Sequence, residues 1–244
     1  MFGIQLFSLF SIIYAKIDES NHMKFEHNFC ESRLQSNNPP ELLNAYSSLV
    51  ISLVPFIFGI PKYQKFTNVA YCFILNGFAS FHYHYYLTWS GKQGDEITMI
   101  LANYFGLCGL IKMNYKKEEN RKLFYFLNMC YMYVFFIINT FVKYDQLFPH
   151  LFTIYLIPTI YFVRNVANQY KLSYIYYLLC STFGAACWIF SESICNNYTK
   201  YGHILWHCLF PLGFYQLLLK FDNLYQKIST EKTIKINSAH KIDV

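Results

Sequence analysis

The chain has 244 residues, of which 55% are hydrophobic, 21% aromatic and only 14% charged, about half the charge of an average soluble domain. That much apolar surface cannot be hidden in one water-soluble core, and a disordered chain needs low hydrophobicity and high net charge, so both classes are excluded. A net charge of +6 raises nucleic acid as a partner, and the placement of the basic residues decides that question.

Residues 1–15 (MFGIQLFSLFSIIYA) are apolar, carry no charged side chain and end in a small residue. They read as a signal peptide cleaved after Ala15 or as an uncleaved interfacial segment, and either reading leaves residues 16–41 on the outer side. Seven apolar stretches follow, at about 42–60, 67–89, 96–115, 123–142, 147–163, 172–194 and 203–220. Each approaches the roughly 20 residues that cross a bilayer as a helix. Backbone polar groups in hydrocarbon must be satisfied within the segment, and the lack of strict alternation selects helices over a barrel. The links are short and carry much of the charge, at 61–66, 90–95 and 116–122.

With the N-terminus outside, one face holds Lys62 and Lys65, then Lys112, Lys116, Lys117, Arg121 and Lys122, then Arg164 and Lys171, and the five lysines after residue 219, which makes 14 basic residues. The opposite face holds six: Lys16, Lys24, Arg33, Lys92, Lys143 and Lys200. Basic residues favour the cytosolic face. The expected architecture is therefore an all-α membrane protein, a seven-transmembrane helix bundle with its N-terminus lumenal or extracellular and its C-terminus cytosolic. Residues 42–220 form the membrane domain, and 221–244 a basic cytosolic tail expected to fray. The charge decorates a membrane face, so nucleic acid drops out as a partner.

Six of the eight cysteines fall in predicted helices and read as small packing residues. Cys30 and Cys195 fall on the oxidising outer side, and a disulfide between them would tie the N-terminal segment to the sixth helix.

Polar groups inside membrane helices are costly and mark function by default. Ser80 and His84 are four apart and share one helix face. Asp95 and Glu96 open the next helix, and His203 and His207 form a second pair four apart at the start of the last. The topology brings three histidines and an aspartate from three helices to one depth, near the outer face. An isolated pair of interfacial histidines would more simply hydrogen-bond, but three imidazoles with an open fourth position form a catalytic zinc site. His82 faces away from His84, His150 has no partner in the pattern, and His22, His27 and His240 lie in polar regions without a role.

Three blocks of sequence resemble the alkaline ceramidase family, within the superfamily of seven-helix zinc hydrolases that includes adiponectin-receptor-like proteins. The first is Phe29-Cys30-Glu31 with Glu41 through Asn44 to Ser47, similar to D-W-C-E and E-F-x-N-T-x-S. The second is Gly77, Ser80 and His84 followed after ten residues by Asp95-Glu96, with the family's Ser-to-His and His-to-Asp spacing. The third is Trp188, Cys195 and His203-x-x-Trp206-His207. The resemblance spans about residues 27–220.

It implies His84, His203 and His207 as zinc ligands, Asp95 as the proton-handling group, and Ser80 in contact with the activated water or the developing oxyanion. It also implies a calcium site at Asn28, the Phe29 carbonyl, Glu31, Arg33 and Glu41. Asn28 stands where the family has Asp, and Arg33 where it has Asn. Calcium wants several oxygens and negative charge, so these departures weaken it, with Arg33 expected to pair with Glu31 or Glu41. Ser191 replaces a further family Asp.

The implied activity is zinc-dependent hydrolysis of ceramide to sphingoid base and fatty acid, in the endoplasmic reticulum or Golgi membrane, with the plasma membrane as an alternative. A hydrolase of another lipid ester or amide, and a non-catalytic lipid-binding or receptor-like protein, are the competing readings.

Overall fold

The computed structural model describes residues 29–35, 38–115, 117–141 and 147–240; the proposed signal segment, Asn28, His22 and His27 lie outside them. Among the described residues the fold is entirely helical. A short helix α1 (Cys30–Leu34) precedes seven long ones: α2 (Leu42–Phe58), α3 (Gln64–Tyr86), α4 (Trp89–Asn114), α5 (Glu118–Phe141), α6 (Leu147–Gln169), α7 (Ile175–Ser193) and, after a single 3-10 turn at Thr199–Tyr201, α8 (Gly202–His240).

Four helical spans, Trp89–Asn114, Glu118–Asn139, Leu147–Gln169 and Thr199–Glu231, are long and apolar enough to cross a membrane, so this is a membrane protein. The remaining three fall short for identifiable reasons. Helix α2 is apolar but has only 17 residues. Helix α3 dilutes its apolar run with Asn76, Ser80, His82 and His84, and α7 carries several tyrosine, serine and threonine residues. Outward-facing side chains on these same helices are nevertheless apolar, such as Phe56, Ile57, Leu75, Phe78, Leu179 and Phe183.

Helix α2 packs on α3 and α8, α3 on α4, α4 on α5 and α6, and α7 on α8. The core that these contacts enclose is largely aromatic and aliphatic, with Phe66, Ile100, Phe135, Tyr155 and Tyr215 fully buried. Polar residues inside it join helices to each other. The Tyr155 hydroxyl donates to Asn128 Oδ1, Thr159 Oγ1 donates to Asn103 Oδ1 at 2.9 Å, and Asn128 Nδ2 donates to the Tyr104 carbonyl at 3.2 Å. Interhelical bonds of this kind contribute about 0.6 kcal/mol each in a membrane. These polar groups are therefore architectural glue between α4, α5 and α6.

Two expectations about boundaries change. Residues 90–95 are not a link between helices: α3 ends at Leu87, in the left-handed region at φ 45°, and α4 begins at once. Thr88 caps the new helix, its hydroxyl accepting from the Gly91 amide at 3.1 Å. Gly91 permits the tight reversal, because a Cβ there would stand 2.7 Å from the Tyr83 Cα. At the other end, α8 does not stop near 220 but continues as helix to His240. Phe221 and Asp222 are buried, and the Asp222 carboxylate accepts from the Lys62 and Tyr63 amides at 3.0 and 2.7 Å. That carboxylate satisfies free amides just before α3, where an acidic group is electrostatically favoured.

Candidate metal centre

The α-helical repeat puts Asn76, Ser80 and His84 on one buried face of α3, and His203 and His207 on one face of α8. Gly202 lets α8 close against α7 just before His203, since a Cβ there would meet the Cys187 carbonyl oxygen at 2.2 Å. The two faces meet, and the three imidazoles form a triangle. Ring centroids are 4.9 Å apart for His84 and His203, 5.2 Å for His84 and His207, and 4.6 Å for His203 and His207. One ring nitrogen from each lies within 4.8 Å of the others, and all three residues are buried.

The Nδ1 atoms explain how the rings are aimed. His84 Nδ1 is 2.6 Å from Glu41 Oε2, and a carboxylate can only accept. His207 Nδ1 is 2.9 Å from Ser47 Oγ, whose own proton is donated to the Asn44 carbonyl at 3.0 Å, so that oxygen also accepts from the ring. His203 Nδ1 has Glu192 Oε1 at 3.7 Å. With Nδ1–H fixed on His84 and His207, their Nε2 lone pairs are the ones left for a ligand. A metal-binding histidine normally has this carboxylate or hydroxyl support behind it, so the residues present fit zinc by chemistry, burial and orientation.

Helix α4 delivers Asp95 to the same end. Asn76 Nδ2 donates to Asp95 Oδ1 at 2.8 Å and to its carbonyl at 2.9 Å, and the buried Ser80 lies beside the same carboxylate. Asp95, Ser80 and the triad all line one cavity of about 660 Å³. Its wall runs along α3 from Phe66 to His84 and along α8 from His203 to Phe221, a rise of roughly 27 Å at 1.5 Å per residue. Most of that wall is apolar, and the histidines and charged groups gather at one end.

The first turn of the described chain roofs the triad. The Phe29 ring stands 5.1 Å from His84 and 4.6 Å from His203, held by its amide donating to Glu41 Oε1 at 3.0 Å. The expected Cys30–Cys195 disulfide is present, with Cα atoms 5.3 Å apart. Beside it, Glu192 Oε2 accepts from the Cys30 amide at 3.0 Å and from Arg33 at 2.9 Å.

The implied calcium positions take up other work. Glu31 accepts from the Leu43 and Asn44 amides at 2.7 and 2.9 Å and so caps α2. Glu41 supports His84 and the roof, and the Phe29 carbonyl accepts from the Arg33 amide at 3.0 Å. Arg33 pairs with Glu192, not with Glu31 or Glu41. A guanidinium next to carboxylates whose oxygens are already committed to N–H and O–H donors does not fit calcium. Activity and thermal stability should therefore be unchanged when calcium is stripped with a calcium-selective chelator, as read by turnover and melting temperature; a loss restored by calcium would contradict this donor assignment.

Asn76, Ser47 and Glu192 are site residues that the sequence alone left unassigned. Asn76 had a signal, being four residues before Ser80 on the same face; Ser47 and Glu192 reach the histidines only through tertiary packing. His82 is exposed and packs on Tyr86 at 4.9 Å. His150 lines the cavity at the start of α6 but takes no part in the triad.

Fold and site together define a class: a helical membrane protein with a buried, carboxylate-supported histidine triad at one end of a long apolar cavity. The family model described as Ceramidase matches residues 22–241, and the chain belongs to the ceramidase family. Membership makes it a hydrolase acting on the amide bond of a lipid substrate, ceramide. No curated protein matches the chain significantly.

Proposed function

We propose that the protein is a zinc-dependent intramembrane amidase of the alkaline ceramidase type, releasing a sphingoid base and a free fatty acid from ceramide. The observation that carries this reading is the placement of Asp95 and Ser80 on the same cavity end as three histidines whose Nδ1 atoms face carboxylate or hydroxyl oxygens. Zinc held by His84, His203 and His207 would supply Lewis acidity and bring a water to a pKa near 7.

The protein's own groups do the rest. Asp95, held by Asn76, accepts the proton of the attacking water and returns it to the leaving nitrogen. As the carbonyl carbon becomes tetrahedral, the Ser80 hydroxyl turns to donate to its oxygen. The Phe29 roof keeps bulk water from the reacting groups, and the apolar length of the cavity takes the hydrocarbon chains. Asn28 is assigned no role.

All seven long helices are read as membrane spans, because α2, α3 and α7 also present apolar side chains outward. Residues 42–220 form most of that domain, with the histidine end and residues 16–41 outside and the basic end cytosolic, in an endoplasmic reticulum or Golgi membrane.

Metal analysis combined with mass spectrometry of the lipid products tests this. The purified protein should carry stoichiometric zinc and convert ceramide to sphingoid base and fatty acid, and His207→Ala should lose both. Full zinc occupancy without hydrolysis of ceramide, dihydroceramide or phytoceramide would overturn the reading.

A further inference from the structure

Away from the reacting groups the cavity wall follows single helix faces. On α4 it runs through Asp95, Met99, Ala102, Gly106 and Leu110, a spacing of three and four residues that keeps one face of the helix. Gly106 comes eleven residues after Asp95, and on α3 Val69 comes eleven residues before Ser80. Eleven residues are close to three full turns, a rise of roughly 16 Å. At that depth Val69 and Gly106 line the cavity opposite each other. Beyond them the lining ends at Phe66, Leu110 and Phe221.

Gly106 is unlike the other glycines of these helices. At Gly77, Gly91 and Gly109 an added Cβ would stand 2.2, 2.7 and 2.1 Å from a neighbouring atom, so helix packing itself demands glycine there. At Gly106 the nearest such atom among the described residues is Val69 Cγ2, at 3.8 Å, an ordinary contact. Packing does not require a glycine at this position, and glycine weakens a helix interior relative to alanine. The residue is partly accessible and lines the cavity, so the room it leaves belongs to whatever the cavity holds.

Its depth says which occupants use that room. The hydrocarbon core of a bilayer is about 30 Å thick, so a chain drawn from one leaflet spans about 15 Å. A chain of that length ends at the level of Gly106, and a longer one must pass between Gly106 and Val69. Hydrophobicity cannot select between them, because lipid tails are as apolar as the cavity wall. Fit can: a short chain leaves a void beneath it, and a side chain in the path of a long one clashes.

We propose that Gly106 is a specificity-determining residue, whose missing side chain keeps the lower cavity open to a straight hydrocarbon chain longer than one leaflet is thick. This rests on the amidase reading and assigns the chain-length subsite of the same cavity.

The test measures kcat/KM of the full-length protein on N-acyl amino diols in which the acyl chain and the base chain are lengthened one at a time. The chain whose length shows the effect is the one that enters the lower cavity. Gly106→Leu should lower the ratio of long-chain to short-chain kcat/KM by about tenfold or more, and Val69→Ala in the same protein should bring it back to within about threefold of the native ratio. Gly106→Ala, whose Cβ clears Val69, should fold with an unchanged or higher melting temperature and lower the ratio less, which keeps the test open if Gly106→Leu folds poorly. An unchanged ratio in both Gly106 variants, or no recovery with Val69→Ala, overturns the proposal. Displacement of a fluorescent fatty acid by fatty acids and amino diols of graded length reads the same subsite without turnover. Affinity should keep rising past the 16 Å level in the native protein and level off there in Gly106→Leu. That break without any hydrolysis would count against the amidase reading and leave Gly106 its role; hydrolysis without the break would count against Gly106 alone.

Discussion

Replacing Asp95 with Asn should lower kcat by about 10²- to 10⁴-fold, the usual contribution of a positioned acid–base group, while zinc content and fold remain. The expectation follows from what the substitution keeps. The Asn carbonyl can still accept from Asn76 Nδ2, which bonds Asp95 Oδ1 at 2.8 Å, and the new amide can donate to the Ser80 oxygen. The histidine triangle does not include Asp95, so the metal-binding set is intact. What is lost is a group able to take a proton from water and hand it to nitrogen. The loss corresponds to about 3–5 kcal/mol of transition-state stabilisation and should appear in kcat with little change in KM. Steady-state kinetics beside metal analysis check it. Unchanged turnover would remove Asp95 from the proton path; loss of zinc would make it a structural support of the centre.

The elements of this site that could be read from sequence are those set by helical periodicity. Ser80 with His84, and His203 with His207, are four residues apart, and that spacing alone puts each pair on one face. The meeting of the two faces needed only the depth argument from topology, and the same argument foresaw the pairing of Cys30 with Cys195. Residues whose roles depend on side-chain reach were not legible. The sequence pattern placed Glu41 at a calcium-site position and gave no sign that it also lies behind His84, where the turn before α2 passes over the triad. Arg33 was expected to find Glu31 or Glu41, but both are committed to backbone and side-chain donors, and Glu192 was the acid left. Lys92 counted as a charge in a short outer link, because nothing in the local pattern shows that Thr88 caps a helix there and folds the lysine inward. Periodicity reports a face, whereas the partner of a long charged side chain is decided by the neighbouring helices.

The position of Glu41 behind His84 gives the second large expected effect. Glu41 is fully buried and uses both oxygens: Oε2 faces His84 Nδ1 at 2.6 Å, and Oε1 accepts from the Phe29 amide at 3.0 Å and the Ser32 hydroxyl at 2.6 Å. Glu41→Ala strands all three donors and should destabilise the protein by about 3–5 kcal/mol, since each buried donor left without a partner costs about 1–3 kcal/mol. Glu41→Gln is the sharper experiment, because it keeps the volume and removes one acceptor. If its amide nitrogen faces His84, the ring must accept at Nδ1 and carry its proton on Nε2, which is the atom needed for the metal. If the amide flips, His84 keeps its tautomer but the Phe29 N–H meets a donor, and the roof over His84 and His203 loses its anchor. Neither orientation satisfies both neighbours. Zinc affinity, measured by competition with a chromogenic chelator, should therefore fall about 10- to 100-fold, and the melting temperature should become less responsive to added zinc. Native affinity in Glu41→Gln would mean that His84 is oriented by its packing under Phe29 and Tyr83, and that the carboxylate behind it serves the roof alone.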